Sequence, residues 1–276
     1  MLIIQSIVNI SEVNFYIMSS IIKLRGKGVS RIINSKVMLS PLAGVTDKIF
    51  RKLVRKWAPE SLLFTEMINA TSLKHGYGTQ KIKQLELEKG PIGVQIFDNR
   101  PFAVSEAAKL AEDSGAFLID INMGCPVKKI SRKGGGSALI NDRLLAIELV
   151  KRVSNAVKVP VTVKTRLGWE NKEENIEEFL LSLQDAGAEM ITLHGRTRKE
   201  GFSGKADWEM IGKIKELLEI PVIANGDIKN PKDAFNCFKK TNADGLMIGR
   251  GILGSPWKIG EIDYAVKDIK GFKEPN

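Results

Sequence analysis

From Val37 onward the sequence alternates regularly between short hydrophobic runs and amphipathic segments. Each run is a nearly unbroken series of apolar residues, which is typical of parallel strands buried on both faces. Eight runs fit this description, and eight parallel strands predict a closed barrel. The predicted strands are Val37–Leu42, Leu62–Thr65, Ile92–Phe97, Phe117–Ile121, Val161–Thr165, Met190–Leu193, Val222–Ala224 and Gly245–Ile248.

The segments between the runs carry helical spacing. Ile176, Phe179, Leu180 and Leu183 recur at intervals of three and four residues, so they share one helix face. Alternating strands and helices fold either as a closed barrel or as an open doubly wound sheet. The number of strands favours the α/β class and a (β/α)8 TIM barrel. No G-x-G-x-x-G follows the first strand, which argues against a dinucleotide-binding sheet.

The chain length of 276 residues allows one such barrel, since these barrels usually hold about 250 residues. We assign residues 36–257 to the barrel. Residues 1–35 are predicted to be an N-terminal extension, either disordered or the product of a misassigned start, with Met18 as the alternative first residue. Residues 258–276 are predicted to be a short C-terminal segment.

The net charge and the number of cysteines limit the possible partners and the cellular location of the protein. Lys and Arg number 42 against 32 Asp and Glu, giving a net charge of +10, and such a basic chain attracts polyanions, including nucleic acids. Cys125 and Cys237 lie far apart and do not cluster with the two histidines, so we expect no disulfide, no metal site and a reducing, cytoplasmic location. No apolar run approaches the roughly 18–20 residues of a membrane span, so we expect no membrane partner.

Unusual residues gather where the predicted strands end, and the C-terminal strand ends are where barrels of this kind place their active sites. The glycines and the arginine in the loops after the seventh and eighth strands, Gly226, Gly249 and Arg250, suggest a phosphate site. Lys164 is read as a Schiff-base lysine, an anion partner or a surface residue. Cys125, with an ordinary thiol pKa of about 8.5, is a candidate general acid, the alternative being an inert buried cysteine.

Several motifs resemble those of the tRNA-dihydrouridine synthases. The resemblance runs from about Val37 to Trp257, nearly all of the predicted barrel. The segments that carry it are Ser40–Asp47 (S-P-L-A-G-V-T-D), Asp120–Pro126 (D-I-N-M-G-C-P), Lys133–Leu139 (K-G-G-G-S-A-L), Leu193–Arg198 (L-H-G-R-T-R), Ile223–Ile228 (I-A-N-G-D-I) and Met247–Arg250 (M-I-G-R).

The resemblance implies FMN at the barrel mouth and NADPH, or NADH, as its reductant. Pro41, Leu42 and Ala43 would then line the flavin, and Gln95 and Lys164 would bond its ring. The ring, ribityl chain and phosphate would be held by His194, Asn225, Gly226, Asp227, Gly249 and Arg250.

The resemblance also implies a reaction on tRNA. A hydride passes from flavin N5 to C6 of uracil, Cys125 delivers a proton to C5, and Asn122 and Arg166 meet the base. The uridine must leave its stack to reach the pocket. We expect a monomer that acts on tRNA.

The family usually carries a helical domain after the barrel, and residues 258–276 are too few to form one. We therefore expect that this domain is missing or truncated and that the segment is a remnant of the linker to it. Two alternatives stay open: a truncated RNA-binding protein with impaired activity, and a small-molecule flavin reductase of the dihydroorotate dehydrogenase type.

Overall fold

The computed structural model describes residues 21–83, 85–171 and 175–275, and in them eight parallel strands form the predicted barrel. The strands are β3 (Val37–Leu39), β4 (Leu63–Phe64), β6 (Ile92–Phe97), β7 (Leu118–Asn122), β8 (Val161–Arg166), β9 (Ile191–His194), β10 (Val222–Asn225) and β11 (Gly245–Ile248), with β5 (Ile68–Asn69) beside the end of β6. They follow one another around the barrel in the order β3-β11-β10-β9-β8-β7-β6-β4. The N–H of Leu39 donates to the carbonyl of Leu62 at 3.0 Å and joins the two ends of the sheet.

Helices surround the strands, and short polar side chains begin several of them. Asp47, Asp142, Asp207 and Asn230 each accept a backbone N–H of the first helical turn, a hydrogen bond that stabilises a helix start. The helices are α1 (Lys48–Arg55), α2 (Ala70–Lys74), α3 (Pro101–Asp113), α4 (Lys128–Ser131), α5 (Arg143–Ala156), α6 (Ile176–Asp185), α7 (Trp208–Leu217), α8 (Pro231–Thr241) and α9 (Lys258–Val266), with 3-10 turns at Thr79–Lys81, Leu85–Leu87, Gly136–Ile140 and Arg250–Ile252.

An antiparallel hairpin of β1 (Ile22–Arg25) and β2 (Ser30–Ile33) precedes the barrel and covers the end where the strands begin. Its side chains Ile22, Leu24 and Ile33 are buried in one cluster with residues inside the barrel, among them Met38 and Phe64. The expectation that residues 1–35 are disordered is therefore wrong for the hairpin, because alternating apolar residues give it a face to bury. Residues 1–20 lie outside the described part of the chain.

The C-terminal boundary at residue 257 also needs correction. Helix α9 follows directly, and Ile259, Ile262 and Val266 are buried in the main core. The carboxylate of Asp263 accepts a hydrogen bond of 2.5 Å from the hydroxyl of Ser35, just before β3. Residues 258–266 thus form a barrel helix rather than a linker remnant.

The side chains inside the barrel change from apolar to polar along each strand. On the side of the hairpin lie Met38, Phe64, Leu118, Ile223 and Met247, which form one apolar layer with it. The outward residues of the same strands pack against the helices in the main core. Beyond the apolar layer the inward positions are polar, so one end of the barrel is filled by apolar packing and the other is lined by polar side chains.

Candidate active site at the barrel mouth

Strands β7 and β8 supply the inward polar layers. Because side chains alternate along a strand, Asp120 and Asn122 share the inner face of β7, and Lys164 and Arg166 share the inner face of β8. Asn122 is in register with Lys164, and Arg166 with the last residue of β9, His194. The predicted strands ended one residue short here, so Asn122, His194 and likewise Asn225 are strand residues whose orientation the sheet fixes.

Cys125 lies in the loop after β7, partly exposed at the mouth. The Oδ1 atom of Asn122 accepts the backbone N–H groups of Gly124 at 3.1 Å and of Cys125 at 2.9 Å. The guanidinium of Arg166 donates to the carbonyl of Gly124 at 2.7 Å, and the N–H of Ser137 donates to the carbonyl of Cys125 at 3.2 Å. Three neighbours therefore fix the loop that carries the thiol.

The glycine-rich segment after α4 packs directly behind this loop. Gly136 has a φ of +61°, and a Cβ added there would lie 3.1 Å from the carbonyl oxygen of Cys125 and 3.2 Å from its Cβ. Glycine is required on both counts, since other residues adopt this φ only with strain. The motif therefore lets the backbone approach the cysteine.

Burial raises the pKa of the Cys125 thiol, against the smaller opposing effects of a hydrogen bond from the backbone of Val127 and the charges of Arg166 and Lys164. The thiol is consequently protonated at neutral pH. A protonated thiol at a partly exposed position can donate a proton to a bound substrate, and it is a poor nucleophile.

The centre of the mouth is electrostatically positive. Burial, and then the charge of Arg166, lowers the pKa of Lys164 to about 8. Burial together with Lys164, Arg166, Arg196 and Arg250 lowers the pKa of His194 far below its ordinary value, so its imidazole is neutral. The ammonium of Lys164 donates to the Oδ1 atom of Asn225 at 2.9 Å. A buried ammonium whose pKa is lowered by burial and by a neighbouring guanidinium favours an anionic ligand.

Asp227 and Arg196 join the loops that follow β10 and β9. One nitrogen of the Arg196 guanidinium donates to both carboxylate oxygens of Asp227 at 2.8 Å, and the carboxylate also accepts the N–H of Ala206 at 2.7 Å. Asp227 has a φ of +60°, which Asp tolerates better than most residues. Its carboxylate is thus engaged with the protein.

Arg250, Gly249 and Leu42 meet at another side of the mouth. A Cβ added at Gly249 would lie 3.6 Å from the Cδ2 atom of Leu42, so the loops after β11 and β3 are in contact. The guanidinium of Arg250 lies 4.1 Å from the ring centre of Phe202, an exposed aromatic in the loop after β9. Pro41 lies beside Leu42, half-buried, and Ala43 is exposed.

The structure places two predicted residues deeper than the sequence suggested. Gln95 is fully buried and bonds to Asp120 and Asn122. Arg166 is 2% exposed and donates to the carbonyls of Thr197 and Gly201 as well as to that of Gly124. Both side chains hold other parts of the site in place.

Sequence reasoning missed Asp120, Arg196 and Phe202 as parts of this site. Asp120 is a carboxylate in the middle of an apolar strand, an unusual residue for a buried position. Phe202 stands alone between polar residues of a loop in a chain with 7% aromatics. Arg196 follows the last strand residue by two positions. The sequence shows that each of these residues is unusual at its position, but only the folded barrel shows that all three lie at one mouth.

Among residues 21–83, 85–171 and 175–275, no helix has the length and apolar character to cross a bilayer. In the same ranges, no group of three or more His, Cys, Asp or Glu side chains is placed to hold a metal ion.

The fold and the site define a class: an α/β-barrel enzyme whose mouth combines a protonated cysteine with a cationic, glycine-lined cavity. Solved barrels share the architecture. The histamine dehydrogenase of Rhizobium sp. 4-9 aligns with a TM-score of 0.64 over 92% of this chain and 49% of its own, at 14% identity. A putative lactate oxidase of Pediococcus acidilactici aligns with a TM-score of 0.56 over 91% of this chain and 74% of its own, at 17% identity. These likenesses concern the fold alone.

The sequence comparisons are more specific. The dihydrouridine synthase family model matches residues 38–275. A probable tRNA-dihydrouridine synthase 1 of Synechocystis sp. is 50% identical over 89% of this chain and 69% of its own length. The tRNA-dihydrouridine synthase B of Xanthomonas axonopodis pv. citri is 42% identical over 83% of this chain and 69% of its own. The chain belongs to the dihydrouridine synthase family, a family of oxidoreductases, and the sequence-based assignment is confirmed.

Proposed function

We propose that this enzyme reduces the C5–C6 double bond of uridines in cytoplasmic tRNA, with FMN as cofactor and NADPH as reductant. The observation that carries the proposal is the protonated thiol of Cys125 beside the cationic mouth of the barrel. The names of the relatives support tRNA as the substrate, and the net charge of +10 suits a polyanionic partner.

The residues of the mouth fit a flavin phosphate. The four cations around His194 are Lys164, Arg166, Arg196 and Arg250. The Asp227 carboxylate hydrogen-bonds to Arg196 and also feels the charge of Arg250. Lys164 would stabilise negative charge that develops on a bound ring, which is one way in which a protein tunes such a cofactor. Gly249 and Arg250, at the start of a 3-10 turn after β11, are placed to hold the phosphate.

The other predicted contacts are assigned from their positions. Pro41, Leu42 and Ala43 line one edge of the mouth. Gly226 leaves room beside His194, since a Cβ there would lie 3.1 Å from the Cδ2 atom of the imidazole. Gln95 keeps one amide hydrogen beyond the one that it donates to Asp120, and that hydrogen can meet the ring. Asn122 donates to Gln95 and, at 3.8 Å, to the Sδ atom of Met67, and we assign the weaker of these two donors to the uracil.

Cys125 is the acid of the proposed reaction. When bound, reduced FMN supplies a hydride to C6 of the uracil ring. The Sγ–H bond of Cys125 then breaks as a C5–H bond forms, so the double bond gains one hydride and one proton. The resulting thiolate recovers its proton from solvent, and the charges of Arg166 and Lys164 stabilise it in the interval.

Purified enzyme should be yellow, release FMN on denaturation, and form dihydrouridine in unmodified tRNA when NADPH is added. We expect Cys125→Ala to keep the flavin and its reduction by NADPH but to lose about 10²–10⁴-fold in turnover, the usual contribution of a general acid. Cys237→Ala is the matched control, because Cys237 is buried in α8 and has no place in the reaction. Loss of flavin in Cys125→Ala, or full turnover without the thiol, would refute the assigned role.

A further inference from the structure

A chain of buried side chains connects the interior of the barrel to the cysteine loop. Asp120 is fully buried, and its Oδ2 atom accepts a hydrogen bond of 2.6 Å from the Nε2 atom of Gln95. The Oε1 atom of Gln95 accepts one of 2.7 Å from the Nδ2 atom of Asn122. The Oδ1 atom of Asn122 then accepts the N–H groups of Gly124 and Cys125.

Each link of this chain has a direction. An amide side chain has a donor end and an acceptor end and can rotate by half a turn to exchange them, whereas a carboxylate only accepts. Because Asp120 presents an acceptor, Gln95 must direct its NH₂ group at Asp120 and its oxygen at Asn122. Asn122 must in turn direct its NH₂ group at Gln95 and its oxygen at the backbone of Gly124 and Cys125.

We propose that Asp120 is a positioning residue that fixes, through the amide orientations of Gln95 and Asn122, the backbone of the loop bearing Cys125. The other orientation would place the Asn122 NH₂ group against two backbone N–H groups, and buried donors without acceptors are costly. The Oδ1 atom of Asp120 is held separately by the hydroxyl of Thr162 at 2.6 Å. Thr162 therefore engages one carboxylate oxygen, and the other oxygen is the acceptor that orients Gln95.

Ionisation of Asp120 is compatible with this role. Burial raises its pKa to about 6, and the hydrogen bonds from Gln95 and Thr162 and the charge of Lys164 oppose that rise. At neutral pH the carboxylate is thus mainly charged and acts only as an acceptor.

The direct test is amide hydrogen exchange of Gly124 and Cys125, measured by NMR on the purified full chain. In Asp120→Leu, which keeps a similar shape without an acceptor, we expect both amides to exchange about tenfold faster, the equivalent of about one hydrogen bond. Thr162→Val is the matched control, since it removes the other partner of Asp120 and leaves the side facing Gln95 intact. It should exchange within about twofold of the wild type, as should the amide of Ile121 in every variant.

Wild-type exchange at Gly124 and Cys125 in Asp120→Leu would overturn the proposal, and so would equally fast exchange in Thr162→Val. Should Asp120→Leu fail to fold, Gln95→Met removes the middle link with similar volume, and the same tenfold increase is required of it.

The catalytic consequence rests on the proposed function. In Asp120→Asn, which presents an oxygen to Gln95 in only one of its two orientations, we expect kcat for dihydrouridine formation to fall about tenfold at an unchanged KM for tRNA. A raised KM with unchanged kcat would contradict a positioning role. Because amide exchange needs neither flavin nor tRNA, inactive wild-type enzyme would refute the proposed function and leave the exchange result to decide this inference.

Discussion

The pair of Arg196 and Asp227 provides a quantitative test of the site's architecture. Arg196 is 2% exposed and the Asp227 side chain 30% exposed. Removing one partner of a fully buried pair costs about 3–5 kcal/mol, and the partial exposure of Asp227 reduces our expectation for Asp227→Asn to about 2 kcal/mol. Asp227→Ala should cost about 1 kcal/mol more, because alanine tolerates the φ of +60° less well.

Equilibrium unfolding in urea, on flavin-free protein at pH 7, measures both values. Glu209→Gln is the control, since it removes a partner of Lys240 from a pair whose side chains are 54% and 78% exposed, and such pairs contribute about 0–1 kcal/mol. The reasoning is refuted if Asp227→Asn is destabilised no more than Glu209→Gln.

The pH dependence of the free energy of unfolding of the same variants provides a second test. Burial alone would raise the pKa of Asp227, but the N–H of Ala206 and the Arg196 guanidinium outweigh it and lower the pKa. A carboxylate with a lowered folded-state pKa stabilises the protein above its unfolded pKa, and this contribution is lost as the pH falls through the folded value. The difference between wild type and Asp227→Asn should therefore shrink in acid.

Three further outcomes are expected. The pKa of Lys164 is about 8 in the folded protein and 10.5 in the unfolded chain. Because the unfolded chain binds more protons between these two pH values, the free energy of unfolding of the wild type without FMN should rise over that range. Lys164→Met should lack this rise and bind FMN more weakly. Gly226→Ala should weaken FMN binding at least tenfold by equilibrium dialysis, because its Cβ would lie 2.7 Å from that of Ala206 at a φ of +122°. Lys129→Glu, beside the cysteine loop, should weaken tRNA binding and reduce its salt dependence by about one phosphate contact, whereas Lys23→Glu on the hairpin at the opposite end should not.

The strands were predictable because a sheet buried on both faces leaves an unbroken apolar signal, and β6 and β11 have the predicted bounds. The ends of β7, β9 and β10 were less predictable because Asn122, His194 and Asn225 are polar residues that extend their strands into the mouth. Composition alone predicts that such polar residues belong to loops. They belong to strands because their backbones hydrogen-bond to neighbouring strands, and that pairing depends on strand register rather than on local sequence.

The candidate site was predictable as a set of residues but not as a set of roles. Motifs and strand ends identified Cys125, Lys164 and Arg250, which the barrel does bring to one mouth. They could not show that Arg166 holds three backbone carbonyls, nor that Asp227 is committed to Arg196. Such partners lie 31 to 42 residues away along the chain, so only the closed barrel reveals them.

The electrostatics of the mouth link its stability to its ligand. Burial, and then the charge of Arg166, lowers the pKa of Lys164, so without a bound anion the fold is destabilised at neutral pH by the charge that we expect to hold the cofactor. An anion bound there would raise the pKa of Lys164 again and recover that free energy as binding affinity. A ligand that binds only the folded state stabilises it by an amount that grows with the logarithm of its concentration. Lys164→Met should therefore make the protein more stable without FMN and reduce the stabilisation that FMN gives, and a variant that lowered both stabilities equally would show that Lys164 is a structural residue.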